Sequence, residues 1–198
     1  MQDVYLTVTD VAKGYYTEKR SKFYAFLRHV ETPDEVRQLQ QQYKKEYYDA
    51  RHVCYAYRLG PDGADFRAND DGEPGSTAGK PILGALLCAE ISDAVIFVIR
   101  YYGGVNLGTG GLIVAYREAS QAAIADARER SLIKEKQVEE QVVHTFAYPQ
   151  LNAVMRIVKD MNLRIVAQNF QTTCSITLSA RKSQVPQLKE RLRAIDFE

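Results

Sequence analysis

The sequence predicts two small domains that each combine helices with strands. Its 198 residues suffice for one large domain or two small ones, and the 45% hydrophobic content excludes wholesale disorder. Strand patterns and glycine-bearing loops occupy most of the chain, but the glycines stop and the pattern changes around residues 131–137. We therefore predict domains at residues 1–132 and 133–198.

Composition and charge exclude several classes of protein. No apolar run approaches the ~20 residues of a membrane helix, and the start MQDVYLTVTD lacks the features of a signal peptide. We therefore expect a cytoplasmic location and no membrane partner. Residues 1–130 hold 16 Lys or Arg against 18 Asp or Glu, and residues 131–198 hold 10 against 7, unlike an obligate DNA binder. Cys54, Cys88 and Cys174 lack CxxC spacing, and we expect buried thiols in a reducing compartment.

The first segments predict strands and one helix. Residues 5–30 alternate apolar and polar side chains in YLTVT and KFYAFL around a break at Lys19, which predicts two antiparallel strands. TPDEVRQLQQQYKKEYYD predicts a helix, because Pro33 and the acids after it suit a helix start and apolar residues recur at helical spacing. RHVCYAYRLG, PDG and DFRAND predict a strand, a turn and a returning strand.

The stretch DDGEPGSTAGKPILG opens a second helix. We expect Thr77 to be its N-cap and Pro81 to lie in its first turn, where the missing N–H costs no hydrogen bond. Its expected buried positions are Ile82, Leu83, Leu86 and Leu87. DAVIFVIRYY then predicts a central buried strand, followed by the glycine loop YYGGVNLGTGG and the helix LIVAYREASQAAIADARER.

The second domain has the predicted order strand, helix, two paired strands and helix. These segments are KQVEEQVVHTFAY, PQLNAVMRIVKD, LRIVAQNF, TTCSITLSA and SQVPQLKERLRAI. The order indicates a split βαβ sandwich, whose final strand would have to come from the last three or four residues. The helix positions expected inside are Leu151, Val154, Met155 and Val158, then Val185, Leu188, Leu192 and Ile195.

The glycine loop has features of an anion site, because backbone N–H groups at a glycine-rich turn and a helix start point toward negative charge. Gly103 and Gly108 have the spacing of the outer P-loop glycines, but Thr109 stands where the motif requires lysine. Gly108 and Gly110 match the first two glycines of the dinucleotide-binding motif G-x-G-x-x-G, but Ile113 stands where its last glycine is required. A purely structural loop is the alternative.

The acidic stretch can be interpreted in two ways. Asp70, Asp71 and Glu73 have the hard oxygen ligands that divalent cations prefer, with His52 or Asp49 completing a shell. Their spacing fits no calcium loop, and the alternative is that they stabilise a turn and a helix start. We predict no metal and no cofactor.

His52 and Cys54 could form a histidine–cysteine nucleophile pair, because they are two residues apart on one face of a predicted strand. A core thiol is the favoured interpretation, and we assign no catalytic residue. Arg100, Tyr101 and Tyr102 end the buried strand, where arginine can bind phosphate and tyrosine can stack on a base. The alternative is that Arg100 is buried and pairs with an acid of DDGEP.

Three motifs resemble the Impact family. They are ARHVCYAY at 50–57, DDGEPGSTAGKPIL at 70–83 and VIRYYGGVNLGTGGLIVAY at 98–116, in the family's order. Gly75 and Ser76 stand in the reverse of the family's usual order. The resemblance implies an α+β protein with a ribosomal-protein S5 domain 2-like N-terminal domain and a ferredoxin-like C-terminal domain. Eukaryotic relatives regulate translation through protein binding.

The leading hypothesis is a non-enzymatic RNA- or ribosome-associated regulatory protein that acts in translation. The alternatives are a metal-assisted hydrolase of a phosphorylated or nucleotide-like ligand and a protein-binding adaptor. The sequence leaves the oligomeric state and the partner open. The residues expected to bind a ligand or nucleic acid are Arg51, His52, Asp70, Asp71, Glu73, Thr77, Lys80, Arg100, Tyr101, Tyr102, Gly103, Gly104, Gly108, Gly110 and Gly111.

Overall fold

The computed structural model describes residues 3–170 and 173–195. The chain divides into two compact units. One comprises residues 5–136, and the other comprises the residues from Gln137 onward together with those up to Val4. Both units mix helices with sheets, and no helix in the described ranges is long and apolar enough to cross a membrane.

The strands and helices follow one another in this order. Up to residue 137 they are β1 (Val4–Val8), β2 (Ala12–Glu18), β3 (Ser21–His29), α1 (Pro33–Glu46), β4 (His52–Leu59), β5 (Asp65–Asn69), α2 (Gly79–Ala89), β6 (Ala94–Tyr101), α3 (Gly108–Glu129) and β7 (Ile133–Gln137). The later ones are β8 (Glu139–Phe146), α4 (Leu151–Asp160), β9 (Arg164–Phe170), β10 (Cys174–Arg181) and α5 (Val185–Ile195).

A five-stranded antiparallel sheet in the order β2-β3-β6-β4-β5 forms the centre of the first unit. The predicted central strand is confirmed as β6. Ile96 and Val98 bury against α2 and α3 on one face, whereas Val95 and Phe97 bury against α1 on the other. Because both faces are covered, almost every residue of this strand is apolar.

Residues 5–30 form three strands, so the prediction of two is wrong. β1 pairs with β7, while β2 and β3 form a hairpin. The turn residues Lys19 and Arg20 have φ values of 46° and 67°. This geometry matches a type I′ hairpin turn, which suits the right-handed twist of the strands. The segment AKGYYTE lacks a simple apolar alternation because its third residue, Gly14, packs directly on the backbone of α3.

α2 and α3 both differ from the prediction at their starts. Ala78, not Thr77, is the N-cap of α2, and the Thr77 hydroxyl instead donates to the Pro74 carbonyl at 2.6 Å. Pro81 lies in the first turn, as predicted. α3 begins at Gly108, ahead of the expected LIVAY segment, because the last glycines of the loop already adopt helical geometry.

The second unit contains a three-stranded antiparallel sheet in the order β8-β10-β9. α4 and α5 share one apolar cluster with this sheet, and all four core positions predicted for α5 are buried. KQVEEQVVHTFAY, predicted as one strand, is divided between β7 and β8 at Val138. The predicted final strand falls beyond Ile195, outside the described residues.

Three predicted core positions are wrong. Leu87 is 48% exposed, Met155 is 37% exposed and Cys88 is also exposed, because each lies beside the apolar stripe of its helix, where no element among the described residues covers it. Ile157, which is not among the predicted core positions, is buried in α4.

Gly14 and Gly84 should respond in opposite ways to alanine. A Cβ at Gly14 would lie 2.3 Å from the Ala123 nitrogen and 2.4 Å from the Ala119 carbonyl oxygen, whereas a Cβ at Gly84 would meet nothing within 4 Å. We expect Gly14→Ala to lower the free energy of unfolding by about 1–3 kcal/mol or more. Gly84→Ala, inside α2, should raise it by up to about 1 kcal/mol. Urea denaturation measures both, and equal midpoints would contradict the packing described.

Candidate functional site

Asp70 caps the start of α2 from a distance in the sequence. One carboxylate oxygen accepts hydrogen bonds from the backbone N–H groups of Ala78 (3.0 Å) and Gly79 (2.8 Å), and the other accepts from Ser76 (2.9 Å). Burial alone would raise the pKa of Asp70, but these three N–H donors outweigh it and lower that pKa. Asp70 therefore performs the capping role that the sequence assigned to Thr77.

Asp71 joins the same turn to α1 and β4. Its carboxylate accepts a hydrogen bond from the Val53 backbone N–H at 2.8 Å and pairs with the Lys44 ammonium at 2.5 Å. The Nδ1 of His52 donates to the Asp71 carbonyl oxygen at 2.8 Å. The second acid of the motif thus holds three neighbouring elements in place.

Glu73 is buried and forms the centre of a polar cluster. Its Oε1 accepts hydrogen bonds from Arg100 Nη1 at 2.5 Å and from the Tyr116 hydroxyl at 2.8 Å, and His52 Nε2 lies 3.8 Å away. Glu73 is only 8% exposed and Arg100 only 6%. The structure therefore shows the alternative considered for Arg100, in which it is buried and pairs with an acid of DDGEP.

Cys54 borders this cluster as a protonated thiol. Its Sγ lies 3.0 Å from the Asp70 carbonyl oxygen and 3.3 Å from the Tyr116 hydroxyl. Burial raises the pKa of Cys54 well above its ordinary value, and burial together with Cys54 and Glu73 does the same for Tyr116. A thiol with a raised pKa is a poor nucleophile, so the geometry matches the favoured core-thiol interpretation.

The three motif acids therefore face inward toward protein donors. Within residues 3–170 and 173–195, no group of three or more His, Cys, Asp or Glu side chains is arranged to hold a metal ion. Each carboxylate already accepts hydrogen bonds from the protein, so the motif is a structural joint between β4, β6, α2 and α3.

The glycine loop contains glycines with different roles. Gly103 donates its N–H to the Ser21 hydroxyl at 3.1 Å, and a Cβ there would lie 2.2 Å from the Arg20 carbonyl carbon. Gly104 and Gly108 have φ values of 84° and 71°. These three glycines are required by the backbone. Two further glycines lie in the first turn of α3, and of these Gly110 has open space around it while a Cβ at Gly111 would touch Leu107 at 3.1 Å.

A cavity at the end of the central sheet, which we call the strand-end pocket, has a volume of about 500 Å³. Its lining residues are Arg20, Lys22, Tyr24, Tyr47, Asp49, Tyr101 and Tyr102. The Tyr101 hydroxyl donates to Asp49 at 2.9 Å, and burial together with that carboxylate raises the pKa of Tyr101 to about 12. Tyr102 is half exposed, and its ring centre lies 5.6 Å from the guanidinium carbon of Arg100.

The predicted site residues fall into separate places. His52, Asp70, Asp71, Glu73, Thr77 and Arg100 belong to the motif cluster, Tyr101 and Tyr102 to the strand-end pocket, and the glycines to the loop beside it. Arg51 is exposed and donates its backbone N–H to the Arg100 carbonyl, while Lys80 lies on the solvent side of α2.

Sequence reasoning missed four residues of the strand-end pocket: Arg20, Lys22, Tyr24 and Tyr47. The signal was available in part, because Lys22 and Tyr24 alternate on the same side of a strand. Their meeting with Tyr101 depends on the pairing of β3 with β6, in which Lys22 lies opposite Tyr101.

Glu73→Gln should strongly destabilise the protein. The substitution leaves the buried Arg100 guanidinium without a counter-charge, which costs about 3–5 kcal/mol of unfolding free energy. Glu118→Gln, on an exposed face of α3, should change it by less than about 0.5 kcal/mol. Urea denaturation of both variants tests this expectation, and equal small effects would show that the pair contributes little.

The stabilising effect of the Asp70 carboxylate should depend on pH. Because the folded-state pKa lies below the ordinary value of 3.8, the contribution is complete above that value and is lost as pH falls through the folded pKa. We expect Asp70→Asn to cost about 1 kcal/mol at neutral pH, because the amide removes the negative charge at the helix start and one of the two acceptor oxygens. The difference from the unsubstituted protein should shrink below about pH 4. Denaturation midpoints at several pH values measure this, and a difference that grows in acid would contradict the capping role.

Comparisons with known proteins agree with the motifs. The Impact N-terminal domain family model matches residues 19–124. An IMPACT family member of Haemophilus influenzae is 33% identical over 88% of this chain and 84% of its own length. The IMPACT family member YvyE of Bacillus subtilis is 40% identical over 57% of this chain and 52% of its own.

A solved crystal structure of a hypothetical protein is also similar across the whole chain. It has a TM-score of 0.74 and 27% identity, and the match covers 100% of this chain and 94% of that one. The family-model match, together with a relative matched over most of its length, confirms the resemblance drawn from the three motifs, and the chain belongs to the Impact family.

Proposed function

We propose that this protein binds RNA without catalysing a reaction and acts in translation. The observation that carries the proposal is the strand-end pocket, where four tyrosine rings lie beside two cations. Arg20 and Lys22 form no ion pair with any described residue. Aromatic rings that stack on bases and cations that contact phosphates are the combination used by proteins that bind single-stranded nucleic acid.

Looped or single-stranded RNA suits the pocket better than a duplex. A base can stack on Tyr102 only when its face is free, and bases in a helix are stacked on each other. The glycine loop follows Tyr102 directly, and its exposed backbone at Gly104 allows close approach of a phosphate. The proposal therefore places one unstacked base in the pocket and the adjoining backbone along Lys22 and Arg20.

The role of Arg100 in this proposal differs from the one expected from the sequence. Its guanidinium is buried and paired with Glu73, so it is not available to a phosphate. Its guanidinium carbon lies 5.6 Å from the ring centre of Phe23 and 5.6 Å from the ring centre of Tyr102. Arg100 would thus hold the wall of the pocket in position, while Arg20 and Lys22 would meet the ligand.

The link to translation and the finer fold assignment come from the family resemblance. We infer an S5 domain 2-like domain at residues 1–132 and a ferredoxin-like domain at 133–198. The antiparallel order β8-β10-β9, with α4 between β8 and β9 and with α5 after β10, supports the second assignment. A cytoplasmic location belongs to the same proposal. The hydrolase alternative finds no support in the geometry, since Asp70, Asp71 and Glu73 are engaged by protein donors.

Substitutions in the strand-end pocket should weaken RNA binding. Tyr102→Ala should raise the dissociation constant for a single-stranded RNA roughly 5- to 150-fold, which corresponds to ~1–3 kcal/mol for one stacked base. Lys22→Ala should reduce the slope of log affinity against log salt by about 0.7 if it contacts one phosphate. Fluorescence anisotropy with labelled poly-pyrimidine and hairpin-loop RNAs measures both quantities.

Arg117→Ala is the matched control, because this exposed cation lies on α3 outside the pocket. It should leave RNA affinity unchanged. Binding that is absent, insensitive to salt, or weakened equally by the control would contradict the proposal.

A further inference from the structure

The first unit carries a second surface that the RNA proposal does not use. A groove of about 540 Å³ lies between α2 and α3, and a smaller cavity of about 230 Å³ adjoins it. Both share Ala85, Cys88 and Gln121, so they form one continuous depression, which we call the helix groove. It runs along α3 from Ile113 to Arg128, a distance of roughly 22 Å at 1.5 Å per residue.

The floor of the helix groove is made of small and apolar side chains. Pro81, Gly84 and Ala85 form the α2 side, and Ile113, Ile124 and Ala125 form the apolar part of the α3 side. Two exposed apolar side chains flank it, because Leu87 and Val114 lie three residues from Gly84 and Arg117 on the same helices. Leu87, which was predicted to lie in the core, is therefore an exposed apolar side chain at the edge of the helix groove.

The charged groups of the groove are all positive. Lys80 lies at one end, Arg117 along the middle and Arg128 at the other end, and no carboxylate lines either cavity. None of the three cations forms an ion pair with a residue in the described ranges. An apolar floor bordered by unpaired cations is complementary to an apolar stripe bordered by acids.

We propose that the helix groove binds an acidic amphipathic helix of a partner protein. Its length matches about four helical turns, and apolar residues at helical spacing can enter a groove of this kind. Acidic side chains on both flanks of such a helix would reach Lys80, Arg117 and Arg128. Nucleic acid is the weaker occupant, since no aromatic side chain lines the groove for bases to stack on.

Two designed peptides test the proposal with the full-length protein. One is a fluorescein-labelled helix of about 15 residues with leucines at i, i+3, i+4 and i+7 and glutamates on its flanks. The other has lysines in place of the glutamates. In anisotropy titrations the acidic peptide should bind at least about tenfold more tightly, and its advantage should fall with added salt.

Two substitutions separate the groove from other surfaces. Gly84→Leu should fill the floor without disturbing the fold, because a Cβ there meets no atom within 4 Å. Arg117→Glu reverses the central charge. Each should weaken acidic-peptide binding by about tenfold or more, whereas Lys22→Glu, in the strand-end pocket, should not. The same two groove variants should retain RNA binding, so failure of one proposal is distinguishable from failure of the other.

Cys88 provides an independent readout, because it lines the groove and is exposed, whereas Cys54 and Cys174 are buried. The acidic peptide should slow alkylation of Cys88 by N-ethylmaleimide several-fold. Equal binding of the two peptides, unchanged binding by both groove variants, or unchanged alkylation would overturn the proposal. Self-association that Gly84→Leu abolishes, measured by sedimentation velocity, would also overturn it, because a second copy would then occupy the groove.

Discussion

The buried pair of Glu73 and Arg100 is the interaction on which the arrangement of the first unit depends. Arg100 belongs to the central strand, between Phe23 of β3 and His52 of β4 in the sheet register. Glu73 comes from the motif turn, and Tyr116 of α3 donates to the same carboxylate oxygen. A buried charge without its partner is strongly unfavourable, so the turn, the sheet and α3 are held in one arrangement.

This constraint also decides which surfaces are left for binding. Because the acids of DDGEP are directed inward, the motif presents no acidic cleft, and the free cations border other depressions. Arg20 and Lys22 lie beside tyrosine rings at the end of the sheet, while Lys80 and Arg117 border an apolar groove. The two surfaces differ in chemistry, since one offers rings for stacking and the other offers aliphatic packing.

Local rules account for the elements that the sequence predicted well. The sequence indicated α1 through Pro33, the two acids after it and an apolar stripe. The N-cap of this helix is Thr32, whose hydroxyl accepts a hydrogen bond from the Glu35 backbone N–H. The apolar run at 93–102 indicated the central strand. Local rules failed where a distant contact decided the outcome. β2 shows no apolar alternation at Gly14, because this residue packs against the backbone of α3 and has no room for a side chain. Asp70 caps the start of α2 although it lies eight residues before Ala78.

The sequence by itself determined the family, the order of most helices and strands, and the set of motifs that meet around Glu73. It also indicated that Arg100 had two alternatives, a phosphate contact or a buried pair. Only the tertiary structure decided between them, because burial and partnership are properties of strands and turns brought together across 27 positions of sequence. The strand-end pocket and the helix groove arise in the same way, because each combines side chains from elements that lie far apart in the sequence.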